Sequence, residues 1–291
     1  MTLKIVSDFD GVWTDQAFEA EEVKLFLAAE AARFAGVGAD QARRDFLAFE
    51  TAVLARPSEY GWAPDGRITA YVDEDPFCIA NSLASYLDRE ADPRAQRYRA
   101  AILAAGEPSL SAFADRCFLT STARFRELHP PALVPSTKPT LEALRARGVE
   151  VVIVSNSSSE KIVGWFRQIG VDAGVESHAA LRVRGQAGKQ VLGAGDDHLV
   201  LSGRRISVDR PRYRAVLEEE RPDLVIGDVF SLDLALPSVL RRARAAGAPR
   251  TLVLRRHPHT PTWVLGTRAD GAIDHVVDDV AELLRLVDAR R

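Results

Sequence analysis

Two aspartates stand two positions apart near the start of the chain, in Ser7-Asp8-Phe9-Asp10-Gly11. Carboxylates so spaced can divide a reaction between them, one attacking as a nucleophile while the other handles protons. The same residues also suit a plain turn. Two further places put polar groups directly after an apolar run. Ser155-Asn156 follows Val149 to Val154, and Gly227-Asp228-Val229-Phe230-Ser231-Leu232-Asp233 follows Leu224-Val225-Ile226. Taken singly, the latter reads equally as an Asx turn with a helix cap. Taken in order, Asp-x-Asp, Ser-Asn and Gly-Asp-x4-Asp each close a short apolar run, and that repetition points to one site.

The elements that must position these residues follow from the pattern. A strand-like segment begins at Thr2 and continues through Leu3 to Ser7; with Val149 to Val154 and Leu224 to Ile226 it reads as buried parallel strands, joined by Thr251 to Leu254 and His275 to Val277. Open α/β sheets bind ligands at the carboxyl ends of such strands. Helices are expected from about Lys138 to Arg147, stopped by Gly148, from Pro211 to about Glu220, and from Val280 to Val287. Ser157 with Glu160 forms a capping-box pattern that should start another helix, running to Gly170. A hairpin is expected around Ser202-Gly203.

Between about Phe18 and Leu128 the spacing turns helical. Val23, Phe26, Leu27 and Phe34 share one face, then Phe46, Phe49, Val53 and Leu54, then Ile79, Leu83 and Leu87, with a loop or short hairpin from Pro57 to Pro76. His129-Pro130-Pro131 breaks the chain before the strand-and-helix rhythm resumes. Asp10 and Ser155 lie 145 residues apart, whereas a βαβ unit needs roughly 30 residues. The surplus must fold elsewhere. The expected fold is therefore α/β, a doubly wound parallel sheet formed by residues 1–16 and 130–291, with an inserted α-helical cap domain over residues 17–129.

Composition narrows the function. With 46% hydrophobic and 27% charged residues the 291-residue chain has material for real cores, and a net charge of −3 argues against a broad nucleic-acid or anionic-membrane surface. Cys78 and Cys117 form no CxxC pair, the start lacks a basic and apolar leader pattern, and no apolar run approaches bilayer length. A cytoplasmic protein with neither nucleic-acid nor membrane partners is expected; its oligomeric state is not encoded in any pattern. Only five of the 38 basic side chains are lysine, namely Lys4, Lys24, Lys138, Lys161 and Lys189, which by itself reads as codon bias.

The ordered strand-end motifs resemble those of the haloacid dehalogenase (HAD) superfamily. The first motif stands as Asp8-Phe9-Asp10-Gly11-Val12, the second as Ser155, and the fourth as Gly227-Asp228-x4-Asp233. The resemblance covers about residues 1–16 and 130–291, and the insertion matches only in position and helical character. It implies a Rossmann-like HAD core and a phosphatase acting on a small phosphorylated metabolite. Asp8 would attack phosphorus to form an aspartyl phosphate; Asp10 would protonate the leaving oxygen and then activate water. Because both reactants are anionic a cation must stand between them, and the resemblance implies Mg²⁺ held by the Asp8 carboxylate, the Asp10 backbone carbonyl and Asp228, all hard oxygens. Ser155 and Asn156, with nearby backbone N–H groups at the helix start, would bind phosphoryl oxygens. Asp233 would orient water or a basic partner.

The superfamily's third motif is usually a lysine paired with the nucleophile. Here Arg210, ahead of Pro211 and the next helix, holds the expected position and can supply the charge bidentately; Lys189, in Gly188-Lys189-Gln190, is the alternative. Asp10 favours phosphate esters over dehalogenation, which needs no acid there, and over transport ATPases, which carry threonine. Lys24, the one lysine between Phe18 and Leu128, reads as a surface residue, which argues against Schiff-base phosphonate cleavage. A phosphomutase shares Asp8 and Asp10, and the arginine at the third motif leaves room for a non-catalytic phosphate-ligand-binding or regulatory protein. His257-Pro258-His259 is read as a rim position in preference to a metal pair, and Asp73-Glu74-Asp75 as a solvated acidic turn.

Overall fold

The apolar runs that end in acidic residues become neighbours in one sheet. The computed structural model describes residues 3–290, so Thr2 lies outside the described residues. The chain forms two compact units, one reaching to Asp15 and resuming at Pro131, the other spanning Gln16–Pro130.

The first unit starts with β1 (Lys4–Ser7). The chain then builds the second unit from α1 (Ala17–Ala35), α2 (Ala39–Leu54), the short β2 (Gly61–Trp62) and β3 (Ala70–Tyr71), α3 (Cys78–Arg89), α4 (Pro93–Ala104) and α5 (Leu110–Leu128). On return it forms α6 (Thr137–Ala146), β4 (Glu150–Val154), α7 (Ser159–Gln168), β5 (Ala173–Gly174) and β6 (Leu181–Arg184). A hairpin of β7 (His198–Leu201) and β8 (Arg204–Ser207) leads to α8 (Pro211–Glu220) and β9 (Leu224–Gly227). A π-helical turn, Phe230–Leu234, runs into α9 (Ala235–Ala243), followed by β10 (Thr251–Arg255), α10 (Thr262–Gly266), β11 (His275–Val277) and α11 (Leu283–Asp288).

Seven parallel strands form the sheet in the order β11-β10-β9-β1-β4-β6-β5. β1 lies centrally, its Val6 opposite Val152 of β4 and Val225 of β9. The Val/Ile-rich composition suits strands covered on both faces. Ile5, Val151, Ile153 and Ile226 join Phe9, Leu144, Phe166 and Leu283 in one buried core, each such side chain contributing about 1.5–3 kcal/mol on burial. Strand order reverses about β1, so the carboxyl ends of β1, β4 and β9 converge where such sheets bind ligands.

Four local expectations change. Ser157 does not cap α7: Ser158 does, its hydroxyl accepting from Lys161 N at 3.3 Å, because the Ser157 side chain is engaged elsewhere. β5 and β6 were not expected, β5 having two residues and β6 alternating Leu and Val with arginine instead of running continuously apolar. In the helical unit Phe49, Val53, Leu83 and Leu87 are fully buried as expected, but Leu54 is 47% exposed at the end of α2. The Asp73-Glu74-Asp75 segment is no solvated turn either. Glu74 and Asp75 are buried and accept the backbone N–H groups of Tyr71 and Phe77. Among the described residues, no helix is long and apolar enough to cross a membrane.

Candidate active site

Asp8 leaves β1 while its N–H still donates to Ile226 O at 2.9 Å, so its backbone is as rigid as the sheet. Its Oδ1 accepts from Lys189 Nζ at 2.7 Å. The same ammonium donates to Asp233 Oδ1, also at 2.7 Å, and lies 5.5 Å from the centre of the Tyr213 ring. The lysine side chain is only 3% exposed. One ammonium cannot balance two buried carboxylates, and the surplus shows on Asp8. Burial, opposed by Lys189 but reinforced by Asp233 and Asp10, pushes its carboxyl up to about 7. Burial works against the Lys189 charge, but Asp233 and Asp8 outweigh it and hold the lysine firmly protonated.

The structure thus reverses the preference between the two candidate cations. Lys189 pairs with Asp8, whereas the buried Arg210 guanidinium donates to the backbone carbonyls of Ser207 and Lys189. Arg210 holds the strand of chain from which Lys189 projects. That segment is also pinned to the loop after β4: Gln186 N donates to Ser157 O, Ala187 N to Ser155 O, and Lys189 N to the Asn156 side chain, at 2.8–2.9 Å. Gly185 permits the approach, since a Cβ there would fall 2.3 Å from Ser159 N. Lys189 was the weaker candidate because this contact joins loops 33 residues apart and leaves no local pattern.

Asp233 follows β9 on the π-helical turn, where its Oδ2 accepts from Val229 N at 3.1 Å and its carbonyl accepts from Tyr213 Oη at 2.9 Å. Its orientation of a basic partner is therefore orientation of Lys189. Gly227 has to be glycine: a Cβ would meet the Asp233 Cβ at 2.2 Å. We expect Gly227→Ala to destabilise the protein by about 1–3 kcal/mol through overpacking and to weaken the Asp233–Lys189 pair, read as a lower urea midpoint at unchanged m-value.

Asp10 is turned away from this group. Its Oδ1 accepts from Lys161 Nζ at 2.8 Å, and its Oδ2 from Ser157 Oγ at 2.7 Å and Ser155 Oγ at 3.3 Å. Burial alone would raise the Asp10 carboxyl, but the Lys161 charge and these hydrogen bonds hold it below the ordinary carboxylate range. Ser155, expected on phosphoryl oxygens, here donates to Asp10, and the Asn156 carbonyl oxygen is taken by Lys189 N. Lys161 and Ser157 were not singled out as site residues. Their signal was their place on either side of the cap of a helix that starts just after a strand end.

His257 follows β10 and donates from Nε2 to Gly11 O at 2.7 Å, with Asp228 Oδ2 at 3.7 Å from the same nitrogen. Burial, then His259 and Arg255, lower its pKa to about 4, so at neutral pH it is an uncharged donor bracing the turn after Asp10.

Asp8, Asp228 and Asp233 each offer a carboxylate oxygen within 4.8 Å of the others, the one such group of potential metal ligands among the described residues. Asp233, not the Asp10 carboxylate, completes it; any part for Asp10 runs through its backbone carbonyl. Three carboxylates against one ammonium leave two negative charges, and the donors are hard oxygens. Both properties suit a magnesium-like dication.

No protein-family model and no curated protein matches this chain by sequence. Solved structures do match by fold over nearly the whole chain. A hydrolase from Pseudomonas syringae is similar at TM-score 0.50 with 14% identity over 99% of both chains. A 2-haloacid dehalogenase from Pseudomonas syringae pv. Tomato DC3000 matches at TM-score 0.46 with 16% identity over 100% of both chains. A protein described as a predicted phosphoglycolate phosphatase from Haemophilus somnus 129PT matches at 0.49 with 17% identity over 98% of both. The chain shares the α/β fold of that Pseudomonas syringae hydrolase.

Proposed function

We propose that this protein is a Mg²⁺-dependent phosphatase that hydrolyses a small phosphomonoester through an aspartyl phosphate on Asp8. The observation that carries the reading is the Asp8–Lys189–Asp233 chain at the end of the central strand, with Asp228 beside it. That group joins a rigid carboxylate nucleophile to a buried cation and a dication-sized charge deficit.

The Asp8 carboxylate, the Asp10 backbone carbonyl and Asp228 would hold Mg²⁺, with Asp233 close enough to contribute. The ion, when bound, neutralises negative charge between Asp8 and the phosphoryl group. Lys189 holds Asp8 in one orientation and adds positive charge where the phosphoryl oxygens arrive. Asp8 attacks phosphorus as the ester bond breaks, and the leaving oxygen takes a proton from Asp10. Water then attacks the aspartyl phosphate and gives its proton to Asp10. Backbone N–H groups at the start of α7 would bind phosphoryl oxygens.

The test is phosphate release from a panel of phosphomonoesters, with and without Mg²⁺. We expect turnover that needs the metal and returns on its readdition after chelation. No phosphate from any ester would sink the reading, and interconversion of sugar phosphates with little release would identify a mutase instead.

A further inference from the structure

The Asp10 carboxylate accepts three side-chain donors, from Lys161, Ser157 and Ser155. A carboxylate has roughly four lone-pair directions, so one remains, and it lies on Oδ1, the oxygen that takes only the lysine. Lys161 is itself fixed. Its side chain is 9% exposed, and its ammonium lies 4.9 Å from the centre of the Trp165 ring and 5.9 Å from that of Phe9. The backbone N–H of Lys161 donates to the Ser158 cap, which seats the residue in the first turn of α7. Two elements, the end of β1 and the start of α7, therefore hold Asp10 in one rotamer as an acceptor.

We propose that Lys161 is a positioning residue for the second half of the reaction, holding Asp10 to receive the proton of the water that hydrolyses the aspartyl phosphate. This rests on the phosphatase reading above. In that step the water oxygen bonds to phosphorus and the bond from phosphorus to the Asp8 oxygen breaks. Its electron pair returns to the Asp8 carboxylate, and the water proton passes to Asp10. Orthophosphate leaves, and protonated Asp10 is ready for the next leaving oxygen. Attack by Asp8 on the ester needs no proton acceptor, so a misplaced Asp10 should stall the second half selectively when the leaving group departs unaided.

The readout is pre-steady-state mixing with p-nitrophenyl phosphate and Mg²⁺. For Lys161→Met we expect a burst of about one equivalent of nitrophenolate, then a steady rate lower by about 100-fold, the scale of a misplaced catalytic group. That steady rate should be the same for a second aryl phosphate with a different leaving group, and acid quenching should trap phosphoenzyme. Lys161→Arg should restore turnover without a burst. A structural role alone would slow both halves and give none. Ser157→Ala, read the same way, should show a smaller version of the same burst, and it decides the matter if Lys161→Met does not fold. A folded Lys161→Met with the wild-type rate, or slowed without a burst or trapped phosphoenzyme, overturns the proposal while active wild type upholds the phosphatase reading. Wild type inert on every ester overturns both.

Discussion

If the protein is the phosphatase proposed, Asp8→Asn is expected to abolish phosphate release, a loss of roughly 10⁴-fold or more, as when one member of an interdependent catalytic group is removed. Asparagine keeps the shape of the side chain and can still face Lys189, so the fold should survive. What it lacks is the oxygen proposed to attack phosphorus and one of the three carboxylates that Asp8, Asp228 and Asp233 bring together. The same substitution should therefore weaken metal binding, which can be measured without turnover. Mg²⁺ at about 100 times its dissociation constant stabilises a folded site by about 2.7 kcal/mol, raising the melting temperature of wild type by roughly 5 °C or more. Asp8→Asn and Asp228→Asn should lose most of that shift. Retained turnover in Asp8→Asn would remove the covalent mechanism, and an unchanged Mg²⁺ shift in Asp228→Asn would remove the metal site.

Lys189→Met is expected to have the second largest effect, and on stability the largest. It leaves Asp8 and Asp233 facing each other without the ammonium that now bonds to both at 2.7 Å. Removing one member of a buried ion pair costs about 3–5 kcal/mol, and loss of the charge at the phosphoryl position should lower kcat by about 10²–10³-fold. Mg²⁺ should recover part of the stability, because a dication can replace the missing positive charge. Arg210→Met is the informative comparison. Arg210 bonds to the carbonyls of Ser207 and Lys189, so its loss leaves buried acceptors unmet, at about 1–3 kcal/mol, and should lower kcat less than Lys189→Met does. Urea titration and steady-state kinetics on both variants separate the two roles. Wild-type kcat in Lys189→Met beside an inactive Arg210→Met would return the role to the arginine.

The order of these effects bears on how the site is legible. β1, β4 and β9 were visible because parallel strands buried on both faces are continuous Val, Ile and Leu runs, and a carboxylate directly after such a run stands out. The starts of α6, α7 and α8 were visible to within a residue or two. At α7, however, Ser157 carries the capping-box pattern with Glu160 yet Ser158 is the cap, because the Ser157 hydroxyl is taken by a partner 147 residues away, Asp10. β5 and β6 were missed because β5 has only two residues and β6, Leu181-Arg182-Val183-Arg184, alternates apolar with charged residues instead of forming a continuous apolar run.

Lysine scarcity looked like codon bias, yet two of the five lysines, Lys161 and Lys189, bond to Asp10 and Asp8 respectively. Composition could count them but could not place them. What the amino-acid sequence determined alone is the set of strand ends and the polar residues on them, since hydrophobic periodicity and turn chemistry are local. What only the tertiary structure decided is which cation meets which carboxylate. A buried ion pair is chosen by the approach of distant loops, and here Gly185 and Gly227 provide the clearances that bring Lys189, Asp233 and Asp8 together.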